Sequence, residues 1–283
     1  MKVRNVAVEQ TRFLVRETGA GDGTPVLLLH GVPETSSVWR DVAPALAADG
    51  RRVLAPDLPG LGGSSYTGPF DMASVAAQVL ALVDAELPGR RVDLVGHDWG
   101  GSVALALAAA HPDRVRRLVV ANTVLHKVNP LRAAHIPFFA LPGAPELVFR
   151  LGGRRVVETM ISGAWRSSEE LDPATKAEYV SAYTDPERVK AMLGYYRAAT
   201  RPKLAAAVGL RTPQHGRRRI DVERSLVVWG ADDWVLPIGV GESIVRDLGP
   251  TCSMVTVPGA GHYVVEEAPE VFLRVVQDFL AAD

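Results

Sequence analysis

Cysteine is almost missing from this chain, with one residue, Cys252, in 283. That excludes an intrachain disulfide and a cysteine-based zinc site, and it fits a reducing compartment. Charge imbalance is missing too. Lys and Arg number 31 against 32 Asp and Glu, a net charge of −1, so the chain as a whole has no electrostatic drive toward nucleic acid or an anionic membrane. Long apolar runs are absent. The longest helical one, Val103 to Ala110, is far short of the ~20 residues that cross a bilayer. The first ten residues, MKVRNVAVEQ, alternate as a strand does and lack the apolar stretch of a signal peptide. These absences together predict a cytoplasmic protein without nucleic-acid or membrane partners, as a monomer or homodimer. No repeat, low-complexity tract, metal-ligand constellation or phosphate loop occurs, so no cofactor is expected. The run Arg217-Arg218-Arg219 reads as a solvated loop.

What is present is ordinary globular composition, 47% apolar and 22% charged. The length allows one large domain, or a core carrying an insertion, at ~100–200 residues per domain. Val3 to Val8 and Arg12 to Arg16 alternate as a hairpin. Val26 to Leu29 is a continuous apolar run of the kind buried on both faces of a parallel sheet. Similar runs recur at Val53 to Ala55, Val92 to Val95, Leu118 to Ala121, Leu226 to Trp229 and Met254 to Val257, with helical patterns at Val38 to Ala48, Met72 to Leu87 and Ser102 to Ala110. Such alternation predicts an α/β fold, a mainly parallel sheet with helices on both faces. It stops between Asn122 and Ser225, where Pro130, Pro137, Phe138, Phe139, Pro142 and Pro145 precede helical patterns rich in Tyr and Arg. The expected division is a core in two parts, 1–122 and 225–283, with a helical cap at 123–224 over the carboxyl edge of the sheet, where ligands of such sheets bind.

Directly after the Val92 to Val95 run stands Gly96-His97-Asp98-Trp99-Gly100-Gly101. This has the form of a nucleophile elbow, G-x-Nuc-x-G, with aspartate as the nucleophile and glycines where the sharp turn crowds the backbone. Read alone, the same residues suit a turn with an N-cap aspartate. Three further segments fit the first reading. His30-Gly31-Val32-Pro33 follows a buried strand where an oxyanion hole would take the N–H groups of Val32 and Trp99. The stretch Trp229-Gly230-Ala231-Asp232-Asp233 can supply an acid, and Pro258-Gly259-Ala260-Gly261-His262 a base, in the chain order that this architecture imposes.

With HGVPETSSVW, DLPGLGGSS, GHDWGG, WGADDWVLP and GAGHYVVEEAPE in order, nearly the whole chain resembles the α/β-hydrolase superfamily, and within it the epoxide hydrolase branch. The resemblance implies the α/β-hydrolase fold and a triad of Asp98, Asp233 and His262. The family's G-x-x-D-x-x-x-P pattern, counted from Gly230 to Pro237, selects Asp233 over Asp232. His97 is expected to pack beside the elbow, and Asp57, Gly60, Gly62 and Ser64 to build a structural loop. A carboxylate nucleophile suits displacement at saturated carbon, with the resulting ester hydrolysed by His262-activated water.

The leaving alkoxide needs donors from the cap. In Tyr195-Tyr196-Arg197, Tyr196 matches a family tyrosine. In His135-Ile136-Pro137-Phe138-Phe139-Ala140-Leu141-Pro142-Gly143, His135 stands where tyrosine is usual, a His/Tyr pair found in a subset of bacterial epoxide hydrolases. Tyr179, Tyr183 and Tyr195 are competing candidates. A dehalogenase is the alternative, against which Trp99 replaces the arginine of haloacetate enzymes and Val32 the asparagine of many haloalkane enzymes. A ligand receptor without catalysis is a third reading. The expected partners are a small apolar epoxide and water. Phe138, Phe139, Leu141, Phe149, Met160, Met192 and Leu193 are available to an apolar pocket, with the lining ones not separable by spacing.

Overall fold

A computed structural model describes residues 1–125, 135–207 and 220–282, with side chains up to residue 200 in the second span. The Arg217-Arg218-Arg219 run and Pro130 lie outside the described residues. Eight strands form one sheet: β1 (Lys2–Val8), β2 (Thr11–Thr18), β3 (Val26–Leu29), β4 (Val53–Pro56), β5 (Val92–His97), β6 (Val115–Ala121), β7 (Arg224–Gly230) and β8 (Cys252–Val257). Their spatial order is β1-β2-β4-β3-β5-β6-β7-β8. The β1/β2 and β2/β4 pairs are antiparallel and the others parallel. The apolar runs predict the central strands well, because β3, β4 and β5 are buried at every position. Asp93 within β5 is buried because Arg51 and Arg116 each approach its carboxylate at 2.6 Å.

Two readings change. The pattern Val38 to Ala48 is split into a 3-10 turn, Ser36–Trp39, and a helix α1 (Val42–Ala48), because Arg40 N–H bonds Ser37 C=O and does not continue an α ladder. The run at Met254 is not covered on both faces: β8 is the sheet's edge strand and most of its residues are partly or fully exposed.

Helices α2 (Met72–Glu86) and α3 (Trp99–Ala110) follow β4 and β5. Asp71 caps α2 by accepting from Ser74 N–H. Between β6 and β7 come α4 (His135–Ala140), α5 (Ala144–Gly152), α6 (Arg154–Ala164), α7 (Pro173–Ala182) and α8 (Pro186–Ala207). The chain closes with α9 (Ile238–Leu248), α10 (Val264–Glu267) and α11 (Pro269–Ala281). The α4–α8 helices are seated on loops at the carboxyl ends of the strands. Tyr183 OH donates to Glu34 C=O, Tyr195 OH to Pro59 C=O, and Arg188 to Ser64 C=O, at 2.7–2.9 Å. Buried tyrosines favour such contacts because the ring adds apolar area while the hydroxyl finds a partner. Among the described residues no helix is long and apolar enough to cross a membrane.

Candidate active site

The turn from β5 into α3 brings backbone against backbone. A Cβ on Gly100 would lie 2.2 Å from Leu29 O, and one on Gly96 2.5 Å from Gly100 O, so both positions exclude a side chain. At the apex Asp98 has φ 46° and ψ −119° and makes no side-chain cap bond to α3. A non-glycine residue held at positive φ stores strain that functional sites tolerate. Asp98 thus occupies the N-cap position of α3 without capping it through its side chain. Asp98 Oδ2 instead accepts from Val32 N–H at 2.9 Å, and Oδ1 lies 3.7 Å from His262 Nε2. Gly31 makes that approach possible, because a Cβ there would stand 2.6 Å from Asp98 Cβ. Trp99 opens α3, and its N–H belongs to the unpaired first turn of the helix.

His262 Nδ1 lies 2.8 Å from Asp233 Oδ2. Asp233 is buried, and its other oxygen accepts from Val235 and Leu236 N–H at 2.9 Å each. Trp229 Nε1–H, donating to Leu236 C=O, holds that loop closed. Asp232 beside it is exposed. Burial pushes the His262 imidazole down, but the Asp233 and Asp98 carboxylates outweigh it and hold the group well above its usual range. Burial likewise pushes Asp98 and Asp233 up, and His262 more than compensates for both. The two carboxylates thus favour the protonated imidazole, and the imidazole favours the charged form of both carboxylates.

Across the cavity stand His135, at the start of α4, and Tyr196, in α8, with ring centroids 5.9 Å apart. Trp99 meets Tyr196 edge-on at 4.9 Å. Val32, Asp98, Trp99, His135, Tyr196 and His262 all line this one cavity, together with Ile136, Phe139 and Met160. Burial, then the Asp98 charge, raises the Tyr196 phenol above its ordinary range, so it keeps its proton. Burial lowers His135, leaving a neutral imidazole with one N–H. The competing tyrosines are otherwise engaged: Tyr179 OH donates to Glu266, Tyr183 OH to Glu34 C=O and Tyr195 OH to Pro59 C=O. Of the remaining apolar candidates Phe149, Met192 and Leu193 are buried in the core, while Leu141 is exposed.

His97 packs beside the elbow as expected, fully buried, with Nδ1 2.9 Å from Glu34 Oε2 and Nε2–H donating to His262 C=O at 2.8 Å. Asp57 serves its loop, accepting from Ser36 and Gly63 N–H at 2.7 Å, while Ser64 OH donates to Asp57 C=O. Sequence reasoning misses three contributors. Asn122 donates to Asp233 Oδ2 at 2.7 Å and accepts from Gly230 N–H at 3.0 Å. Thr123 OH donates to Asp98 C=O at 2.6 Å. Glu34 holds His97 and Gly31 N–H. The available signal is position: Asn122 and Thr123 are the polar residues directly after β6, at the edge where such sheets place ligands.

A family profile of the α/β hydrolase fold matches residues 24–269. The chain belongs to the α/β-hydrolase family. Among its relatives, the soluble epoxide hydrolase of Corynebacterium sp. (strain C12) is 30% identical, over 93% of this chain and 92% of the relative. The 2-hydroxy-6-oxo-2,4-heptadienoate hydrolase of Pseudomonas putida is 29% identical, over 93% and 91%. Among solved structures, potato (Solanum tuberosum) epoxide hydrolase I superposes with a TM-score of 0.82 at 26% identity, over 99% of this chain and 98% of that one.

Proposed function

We propose that this protein is an epoxide hydrolase that opens a small apolar epoxide to a vicinal diol. One observation carries the reading: a carboxylate, not a hydroxyl, occupies the elbow, with His262 on one oxygen and two neutral donors, Tyr196 and His135, lining the same cavity. The α4–α8 helices act as a cap, so 123–224 is a unit inserted between core parts 1–122 and 225–283.

In the first step Asp98 attacks a ring carbon from behind. The C–O bond breaks, its electron pair stays on the ring oxygen, and Tyr196, paired with His135, donates a hydrogen bond and then a proton to that alkoxide. Tyr196 suits the task because burial and Asp98 keep it protonated. In the second step the ester is neutral, so His262 loses one of its two stabilising carboxylates and gives up its proton more readily, which returns the Tyr196 phenolate to phenol. It then takes a proton from water, which attacks the Asp98 carbonyl carbon. Val32 N–H, already 2.9 Å from Oδ2, and Trp99 N–H hold the developing oxyanion. Collapse expels the diol's second oxygen, protonated by His262, and the second water proton passes from the new Asp98 carboxyl to His262, restoring carboxylate and imidazolium. Asp233 and Asn122 keep the imidazole oriented throughout. These steps use side chains, two backbone N–H groups and water, and require no cofactor.

The test is His262→Gln incubated with aryl, aliphatic and polycyclic epoxides. Intact mass should rise by the mass of one epoxide, with the adduct on Asp98. Absence of both adduct in the variant and diol production by the wild type across the panel refutes the reading. Halide release from haloalkanes or haloacetates in its place would identify a dehalogenase.

A further inference from the structure

Glu267, the last residue of α10, accepts four backbone N–H groups. Oε1 takes Tyr263 N–H at 3.0 Å, and Oε2 takes Gly261 at 3.0 Å, Arg166 at 2.7 Å and Ser167 at 2.8 Å. The bond to Tyr263 is one that a helix cap makes. The other three reach outside the helix, and they join two segments far apart in the chain. Gly261 and Tyr263 flank His262, and Arg166 and Ser167 follow α6 in the inserted helices. Between those flanking contacts, His262 N–H itself donates to Ala164 C=O at 3.4 Å. Three consecutive N–H groups around the histidine are thus held by Glu267 and by the insertion. The segments touch closely, for a Cβ on Gly261 would meet Ala164 O at 2.9 Å and Arg166 Cγ at 2.7 Å.

We infer that Glu267 is a positioning residue for the hydrolytic step: its carboxylate clamps the His262 backbone to the segment after α6, so that seating of the inserted helices sets the His262–Asp98 distance. The inference rests on the reaction proposed above. The side-chain contacts of His262 fix only part of its placement. Asp233 orients the ring at Nδ1, and His97 packs against it with centroids 5.4 Å apart. The distance of Nε2 from Asp98, 3.7 Å, depends on where the backbone sits. In-line proton transfer is sensitive to such placement, and a displacement of about 1 Å costs on the order of 100-fold in rate.

Glu267→Gln keeps the shape but leaves one acceptor oxygen, and turns an amide toward backbone donors. Quenched single turnovers followed by intact mass separate the two steps. Glu267→Gln should form the Asp98 ester at a rate within about threefold of wild type, while ester hydrolysis slows on the order of 10–100-fold. Glu267→Asp should recover part of the loss. Ser167→Pro removes one donor without touching α10, should slow hydrolysis in the same direction, and serves if the Gln variant does not fold. Equal slowing of both steps, or unchanged hydrolysis in both variants, overturns the clamp. A reaction-independent readout keeps the two ideas apart. The downfield proton on His262 Nδ1, bonded to Asp233, should shift in Glu267→Gln whatever the substrate class, and an unshifted proton overturns the clamp even if no epoxide reacts.

Discussion

Replacing Glu266 by Gln should remove a pH dependence of stability that the wild type carries. The Glu266 side chain is 1% exposed, and Oε1 accepts from Arg40 at 2.7 Å and from Tyr179 OH at 3.1 Å. Its Oε2 and the Oε1 of the nearby buried Glu34 have no partner among the described residues. Burial first, and then the Glu34 charge, push the Glu266 carboxyl up from 4.5 to about 7 despite Arg40. Between those values the native chain holds a proton that the unfolded chain releases. Stability therefore falls as pH rises from 4.5 toward 7 and levels off above. At about 1.4 kcal/mol per pH unit, that window holds roughly 3 kcal/mol, a large share of a typical folding free energy. Gln keeps an acceptor for Arg40 and Tyr179 and carries no charge at any pH. Urea unfolding of both proteins at half-unit steps from pH 4.5 to 8 measures the difference curve, in which His262 and the other titrating groups cancel. Wild type should lose roughly 3 kcal/mol relative to the variant across the window, with the variant the more stable at pH 8. Parallel curves would refute the assignment of this proton to Glu266.

Two further outcomes test the site. Asn122→Gly tolerates the φ of 37° at this position but leaves Gly230 N–H buried and unpaired and leaves Asp233 Oδ2 with His262 alone. Thermal unfolding should show a loss of ~1–3 kcal/mol, and single-turnover kinetics should show slower ester hydrolysis with ester formation unchanged. Equal effects on both steps would assign Asn122 to folding alone. For His262, the free protein holds two carboxylates that raise the imidazole, and the ester removes one. Ester hydrolysis should therefore increase with pH to a plateau, with its midpoint below the His262 midpoint in the free protein followed by NMR. A midpoint at or above that value contradicts the proposed base.

Much of the sheet is legible in the chain because the signals are short-range. Continuous apolar runs mark β3, β4 and β5, and their burial on both faces leaves no room for alternation. The elbow is legible for a related reason: Gly96 and Gly100 are required by contacts within one turn and its neighbouring strand. The same local reading overextends at β8, because whether a strand lies in the middle of a sheet or at its edge depends on what else pairs with it. With the family match set aside, it also leaves Tyr179, Tyr183 and Tyr195 as competitors of Tyr196. Tyr179, Tyr183 and Tyr195 become separable from Tyr196 only when their acceptors, Glu266, Glu34 and Pro59, arrive from segments more than eighty residues away.

The sequence alone therefore determined the order of strands and helices, the glycine-bounded turn that carries Asp98, and the loop positions of Asp233 and His262 behind their strands. The first two follow from periodicity or from steric limits within a few residues, and the choice of Asp233 and His262 from the family resemblance. Tertiary structure alone decided which other groups face one another: Glu34 against His97, Asn122 against Asp233, and Glu267 across to Arg166 and Ser167. A hydrogen bond needs its partner within about 3 Å and in line. Residues distant in the chain reach that precision only when packing of the whole core and its inserted helices sets their separation.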